Sequence, residues 1–484
     1  MNTRACMLVL LFAVLTNYAD AQECGSVVNR KSVSIDYGSG NALLIERSEQ
    51  GMLRGVDAVT GSELWQFVPP EVLTSQAHTG LMTDLAILRF DANGDDIIDR
   101  SSGDRVWVYF GLKRAGAYYY AIDVSDRTPR VLWRQDTETL PGLSDAWSAP
   151  ALTRVRIAGT VQNGEHFVLI VGGGLDGAQL LMLDAATGRR LWSAGSESSH
   201  DRVLSQMTQG IAARVTAVDF DGDEYADRFY ASDVGGRIWR FDVWNGRSRA
   251  DVVTGGIFAA LSGPDSANAR RFFNAPDVTL MHSRDGKTFL NIAIGSGDAV
   301  NPGAVSVQDR FYSLRDNEPF VKRTQAAYDS APPIKDADLT GSSSGWKLEL
   351  DANGEKVLTD SLTVQGVVMF TTHSGDCDEG GANRIHYVWL DDGKAVLDLN
   401  DNGKVTDEDR SLPLTQTGIA DGPRIELLPP LGPRQPGVPP SEPADPGEAG
   451  QAAGTRCLVG TEVLAHCVPI GTVLRTYWKR TSIN

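Results

Sequence analysis

Long apolar runs are scarce in this 484-residue chain. The one candidate, Met7 to Thr16, is too short to cross a bilayer, which takes about 20 apolar residues as a helix. It reads instead as an export leader, with Arg4 before it and Ala19-Asp20-Ala21 as a small-residue cleavage site ahead of Gln22. Residues 1–21 are therefore expected to be a signal peptide, and no integral membrane span is expected. Positive charge is in deficit: 45 Lys and Arg stand against 62 Asp and Glu, a net charge of −17. That balance argues against nucleic acid and anionic membrane surfaces as partners. Histidines are few and scattered, with no H-E-x-x-H, so zinc chemistry has no local signature. Cysteine is rare. Cleavage would remove Cys6 and leave Cys24, Cys377, Cys457 and Cys467, an even number suited to an oxidising compartment. Three pairings are possible. A local Cys457–Cys467 bridge with Cys24–Cys377 is the favoured one, and free thiols or a bridge to a partner stay open.

Helical periodicity is also scarce, whereas glycine is abundant, which suits short strands and turns. What is present is a degenerate repeat: an apolar strand, Asp, a Thr-Gly or similar turn, then a strand ending at Trp. Copies are Gly51 to Phe67, the segment ending at Trp133, and the segment ending at Trp192. Shortened copies surround Trp239 and Tyr312, and a sixth surrounds Trp389. One four-stranded sheet per repeat cannot bury both faces alone, so the repeats must stack around an axis. The expected fold is an all-β propeller of six or seven blades with Trp-bearing, quinoprotein-like repeats, preferred over two tandem sandwiches. Strands before the first Trp copy are expected to join the last blade and close the ring. The expected division is a lead-in over 22–40, the propeller over 41–428, a disordered Pro/Gly-rich linker over 429–455, and a C-terminal tail over 456–484 that carries Cys457 and Cys467.

The stretch from Val218 to Asp242 places Asp219, Asp221, Asp223 and Asp227 in one nine-residue loop. Carboxylates that close repel one another, and a hard divalent cation removes the penalty. Calcium takes six to eight oxygens at roughly 2.3–2.6 Å, which alternate positions of a tight turn can supply. The expected ligands are these four carboxylates and the Tyr225 carbonyl. A second loop repeats the spacing with Asp91, Asn93, Asp95, the Ile97 carbonyl and Asp99. A third, weaker in charge, fits a twelve-position loop with ligand positions Asp398, Asn400, Asn402, Lys404 and Asp409, turned at Gly403. Asp351 to Glu355 looks similar, but Thr359 replaces the ninth-position acid, and an Asn353-Gly354 hairpin turn explains it better. Gly172 to Gly177 matches G-x-G-x-x-G by letters, but no helix follows to hold a phosphate. Gly341 to Gly345 matches a serine-hydrolase elbow without its strand–turn–helix setting.

With these motifs in view, the chain resembles the C-terminal propeller of the PilC/PilY family, the type IV pilus tip-associated biogenesis factors and adhesins. GMLRGVDAVTGSELWQFVP resembles the opening blade, with Arg54 and Val56 where His and Phe are usual. GLKRAGAYYYAIDVSD, DFDGDEYADRFYASDVGGRIWRFDV and GEKVLTDSLTVQGVVMFTTHSGDCDEGG resemble later family segments in the same order, over roughly Asn41 to Gly422. The resemblance implies a non-catalytic, calcium-binding propeller that supports type IV pilus biogenesis and calcium-dependent extension and retraction, hence twitching, and adhesion. It implies pilin and minor pilins as partners, and the periplasm, outer surface or pilus tip of a Gram-negative bacterium as location. Carried over, the regulatory loop is Asp219, Asp221, Asp223, Tyr225 and Asp227. Most family members carry a large region before the propeller; here the leader runs almost directly into the first blade, so roles tied to that region are not expected. Two alternatives compete: a periplasmic quinoprotein dehydrogenase, which often needs an adjacent Cys-Cys pair that this chain lacks, and a general outer-membrane assembly scaffold.

Overall fold

The computed structural model describes residues 32–427, apart from 39, 49, 75–81, 114–115, 283–285, 342, 351–353 and 376–379, together with 455–460 and 462–464. The leader, the linker up to residue 454, and Cys6, Cys24, Cys377 and Cys467 lie outside the described residues. The rest forms seven sheets in chain order, the blades of a propeller, antiparallel apart from a short parallel edge strand in each of the third and fourth. Blade 1 runs from Ser32–Asp36 to Glu63–Phe67, blade 2 from Ala86–Phe90 to Arg130–Gln135, and blade 3 from Ala151–Arg154 to Arg190–Gly195. Blade 4 runs from Thr216–Val218 to Val253–Ala260, blade 5 from Asp277–His282 to Gly345–Glu349, and blade 6 from Leu362–Val364 to Ser411–Pro413. Blade 7 comprises Pro423–Leu427, Thr455–Val459 and Glu462–Val463. Buried apolar clusters fill the interface of every consecutive pair from blades 1 and 2 to blades 6 and 7. Among the described residues no helix is long and apolar enough to cross a membrane.

The Asp-x-x-Thr-Gly…Trp repeat has a mechanical reason. In blade 3, Asp184 Oδ1 accepts the N–H groups of Ala186 and Thr187, both at 3.0 Å, which folds the chain into the turn. Gly188 then adopts φ +70°, and a Cβ there would lie 2.8 Å from the Trp133 ring. That space belongs to Trp133 of the preceding blade, whose Nε1 donates to Ala185 O at 3.0 Å. Blade 5 docks on blade 6 the same way: Trp346 Nε1 donates to Leu390 O at 2.6 Å, and the ring occupies the space beside Gly393. The turn of one blade is thus the socket for the tryptophan of the one before it. Trp389, expected to belong to this series, is 44% exposed on the third strand of blade 6. Trp346 is the docking residue for the repeat around Tyr312, displaced by an insertion.

Two expectations change. Ser32–Asp36 pairs with Ala42–Arg47 inside blade 1, because Gly38 and Gly40, both left-handed, close a tight local hairpin. The ring is therefore not completed by lending that strand to blade 7, and the first blade begins before residue 41. The tail boundary at 456 also falls inside a blade: Thr455–Val459 pairs with Pro423–Leu427 across the linker, and Cys457, buried and disulfide-bonded, sits in the core between blades 6 and 7. The segment after Asp316 in blade 5 crosses back to blade 4. There the helix Gln325–Ser330 covers the edge strand, with the Gln325 side-chain amide bonding both N–H and C=O of Gly255. Ile334–Lys335 adds a fifth, parallel strand to blade 4 before the chain returns to blade 5.

This crossover is anchored on buried charge. Arg228 and Arg240 of blade 4 are both fully buried, as are Asp242 and, at the end of a blade 5 strand, Asp316. Arg228 donates to Asp242 at 2.6 Å and to Asp316 at 3.0 Å, and Arg240 reaches both carboxylates too. Both guanidiniums also donate to Val321 O, and Arg323 N donates to Asp242 Oδ2 at 2.7 Å. Two cations balance two anions, with tyrosine hydroxyls and carbonyls taking remaining hydrogen bonds, the condition under which a buried ion cluster is tolerated.

Candidate metal centre

The Asp219 loop joins the first two strands of blade 4. Asp219 accepts Gly222 N at 2.8 Å on one oxygen and Glu224 N at 2.9 Å on the other. Asp221 Oδ1 accepts Asp223 N at 3.2 Å, and Asp223 Oδ1 accepts Tyr225 N at 2.9 Å. Asp227, buried at the loop's end, accepts Phe220 N at 2.8 Å. Asp219, Asp221 and Asp223 therefore each fold the next part of the turn, Asp227 ties its end back to Phe220, and Gly222 and Glu224 supply the left-handed residues that the curl needs. The result brings carboxylate oxygens of Asp219, Asp221 and Asp227 within 4.8 Å of one another, a donor set that suits a hard divalent cation. Asp223 lies outside that trio but close enough to matter. Burial raises the carboxyls of both Asp219 and Asp223; Asp223 and Asp227 push Asp219 further up, and Asp221 and Asp227 do the same to Asp223.

Blade 3 clasps the outside of this loop. The Tyr225 ring lies under the Arg156 guanidinium, 4.8 Å from its centroid, and its hydroxyl accepts from Arg156 at 3.1 Å and meets His166 Nδ1 at 3.2 Å. Arg154 pairs with Glu224. From the other side, Lys322 of the crossover places Nζ 2.6 Å from Asp227 Oδ1. Nothing in the spacing of the loop reveals this lysine, which is 95 positions beyond Asp227 in the chain.

The Asp91 loop shares the turn but not the charge. Asp91 accepts Gly94 N and Asp96 N, both at 2.7 Å, and Asp95 accepts Ile97 N at 2.9 Å, while Asn93 accepts Asp95 N. Asp99, expected as the closing ligand, turns away and caps the 3-10 turn Arg100–Ser102 through Ser101 N. The closing role falls to Asp104, fully buried, which accepts Ala92 N and Asp99 N, both at 2.8 Å. A five-residue insertion separates it from the expected ninth position, which is why the spacing hid it. Burial raises the Asp91 carboxyl, but the surrounding N–H groups outweigh it and hold it below the usual range, the opposite of Asp219. The Asp398 loop is similar: Asp398 accepts Asn402 N and Gly403 N, Asn402 accepts Lys404 N, and buried Asp409 accepts Leu399 N and Asn400 N. Among the described residues, only the Asp219 loop gathers three carboxylates. Of the fourth motif, Asp351 and Asn353 lie outside the described residues, and Glu355 is buried against Thr372 at 2.5 Å. The Gly172–Gly177 run serves packing, since a Cβ at Gly172 would meet Ile211 O at 2.1 Å.

No family model matches the chain. The type IV pilus biogenesis factor PilY1 of Pseudomonas aeruginosa is 25% identical over 411 residues, covering 69% of this chain and 33% of that protein. A PilY1 homolog of Xylella fastidiosa is 28% identical over 213 residues, covering 40% of this chain and 15% of the relative. The chain thus spans a third or less of the length of these relatives. In fold, the crystal structure of the P. aeruginosa PilY1 C-terminal domain superposes with a TM-score of 0.61 at 18% identity, covering 89% of this chain and 94% of that one. The chain resembles the PilY family in sequence, and its seven-bladed architecture is that of the PilY1 C-terminal domain.

Proposed function

We propose that this chain is a non-catalytic, calcium-responsive propeller that supports type IV pilus biogenesis, the role that names its curated relatives. The observation that carries the reading is the convergence of Asp219, Asp221 and Asp227 in a blade 4 loop of a PilY1-like fold. These three would hold calcium, with Asp223 alongside. The ion would supply the positive charge that the crowded carboxylates call for. A cation bound only by the ordered loop stabilises that state by about 2.7 kcal/mol at a hundredfold excess over Kd. Extracellular calcium modules often bind at roughly 10⁻⁴–10⁻³ M, so ambient calcium can set the fraction of ordered loop. The ordered loop, clasped between blade 3 and the blade 5 crossover, then presents one defined surface to pilin or minor pilins, which fits regulation of extension, retraction and adhesion at the periplasm, outer surface or pilus tip.

The test is deletion of the gene, scored for surface piliation and twitching, with complementation by wild type and by Asp221→Ala, in medium with calcium and with chelator. Restoration by wild type alone, dependent on calcium, supports the reading. Normal piliation in the deletion strain overturns the pilus role, and equal rescue by both forms overturns the calcium role.

A further inference from the structure

Asp227 has both oxygens engaged. Oδ2 accepts the Phe220 N–H that shapes the loop, and Oδ1 is held by the Lys322 ammonium at 2.6 Å. Lys322 comes from blade 5's crossover, and its backbone is pinned on either side. Val321 O accepts Arg228 at 2.8 Å and Arg240 at 2.5 Å, and Arg323 N is tied to Asp242. The main chain at residue 322 is therefore fixed by buried ions. The side chain is not: it is 28% exposed, so the ammonium can swing to water while the segment that carries it stays in place. A divalent ion held by Asp219, Asp221 and Asp227 would compete with this tethered ammonium for the Asp227 carboxylate.

We infer that Lys322 is a tethered competitor for the cation of the Asp219 loop, and that it sets the loop's affinity low. The inference rests on the calcium reading above and deepens it. A tethered ammonium is present at constant effective concentration, so it weakens calcium binding by the same factor at every protein concentration. It also neutralises part of the loop's charge when calcium is scarce, so the incoming ion exchanges with a side chain at Asp227. The part-buried Lys322–Asp227 pair must be broken for calcium to take the carboxylate, so removing the ammonium is expected to shift affinity roughly tenfold.

The experiment is calorimetric titration of calcium chloride into the full chain as wild type, Lys322→Met and Lys322→Arg, with circular dichroism to verify folding of each. The expected result is roughly tenfold tighter binding in Lys322→Met and wild-type affinity in Lys322→Arg, which keeps the charge. Should Lys322→Met fail to fold, Lys322→Gln takes its place, with the same expectation. Neutral variants that bind no more tightly than a calcium-binding wild type overturn the inference and leave the calcium reading intact. Binding by the neutral variants alone supports the competitor role and overturns the reading that wild type responds to calcium. Binding by no form overturns both.

Discussion

Trp133 and Gly188 belong to different blades, and the ring of one occupies the space where the other would carry a Cβ. The nearest ring atom is 2.8 Å from that position, and the indole nitrogen bonds the same turn at Ala185 O. A glycine is required there twice over, for its left-handed φ and for its neighbour.

Gly188→Ala is expected to lower stability by about 2–4 kcal/mol, combining backbone strain with a displaced indole. Gly61 provides the control: its φ is +71° but nothing lies within 4 Å of its Cβ position. Gly61→Ala should cost only about 1 kcal/mol. Denaturant midpoints of the two variants against wild type measure the difference, and equal midpoints would refute the socket.

The buried cluster of Arg228, Arg240, Asp242 and Asp316 should tolerate no single deletion. Asp242→Ala leaves two buried guanidiniums facing one carboxylate and is expected to cost about 3–5 kcal/mol. Because Arg323 N and Tyr328 Oη donate to Asp242, the loss should appear first as faster hydrogen exchange over the crossover. Exchange that accelerates uniformly across all blades would contradict that local role.

Acid sensitivity should concentrate where the crossover returns to blade 5. Burial alone would raise the Asp336 carboxyl, but hydrogen bonds from Lys347, Arg310 and Tyr312 outweigh it and hold it at about 2. Because the folded value lies below the unfolded one, its contribution of about 2 kcal/mol is full above the ordinary carboxylate range and is lost as pH falls from about 4 towards 2. Asp336→Asn should therefore be less stable than wild type at pH 7, and the gap should close towards pH 2. A constant gap would exclude the carboxylate as the source.

Two aspartates of one loop should separate structure from ligation. Asp221 is exposed and accepts one N–H, whereas Asp219 accepts two. Asp221→Ala is expected to change the melting point in chelator by less than the equivalent of about 0.5 kcal/mol, yet to remove the calcium-induced rise. Asp219→Ala should lower the melting point with or without calcium. Melting curves in calcium and in chelator distinguish the two, and a calcium-induced rise that survives in Asp221→Ala would remove this residue from the ligand set.

What was legible in the sequence was what is local. Asp219, Asp221 and Asp227 could be read as a cluster because each shapes the turn a few residues away, and the Trp-to-turn repeat marked the blades for the same reason. Asp104 and Trp346 escape because insertions stretch the spacing that would expose them: Asp99 holds the ninth position where Asp104 does the closing, and the copy around Tyr312 shows no tryptophan at the usual spacing. The second strand of blade 7 is hidden because a Pro/Gly-rich stretch separates it from its partner Pro423–Leu427, so Thr455–Val459 looks like the start of a tail. Lys322 carries no local sign at all. Its role comes from the path by which blade 5 lends a segment to blade 4.

That path has a consequence for biogenesis of the molecule itself. The outer edge of blade 4 ends at Ala260, but its final strand is Ile334–Lys335. The fourth sheet therefore stays open during folding until a segment about 75 residues further along has docked. Until then its exposed border is a template for pairing with another unfolded chain, and only the arrival of Ile334–Lys335 closes it.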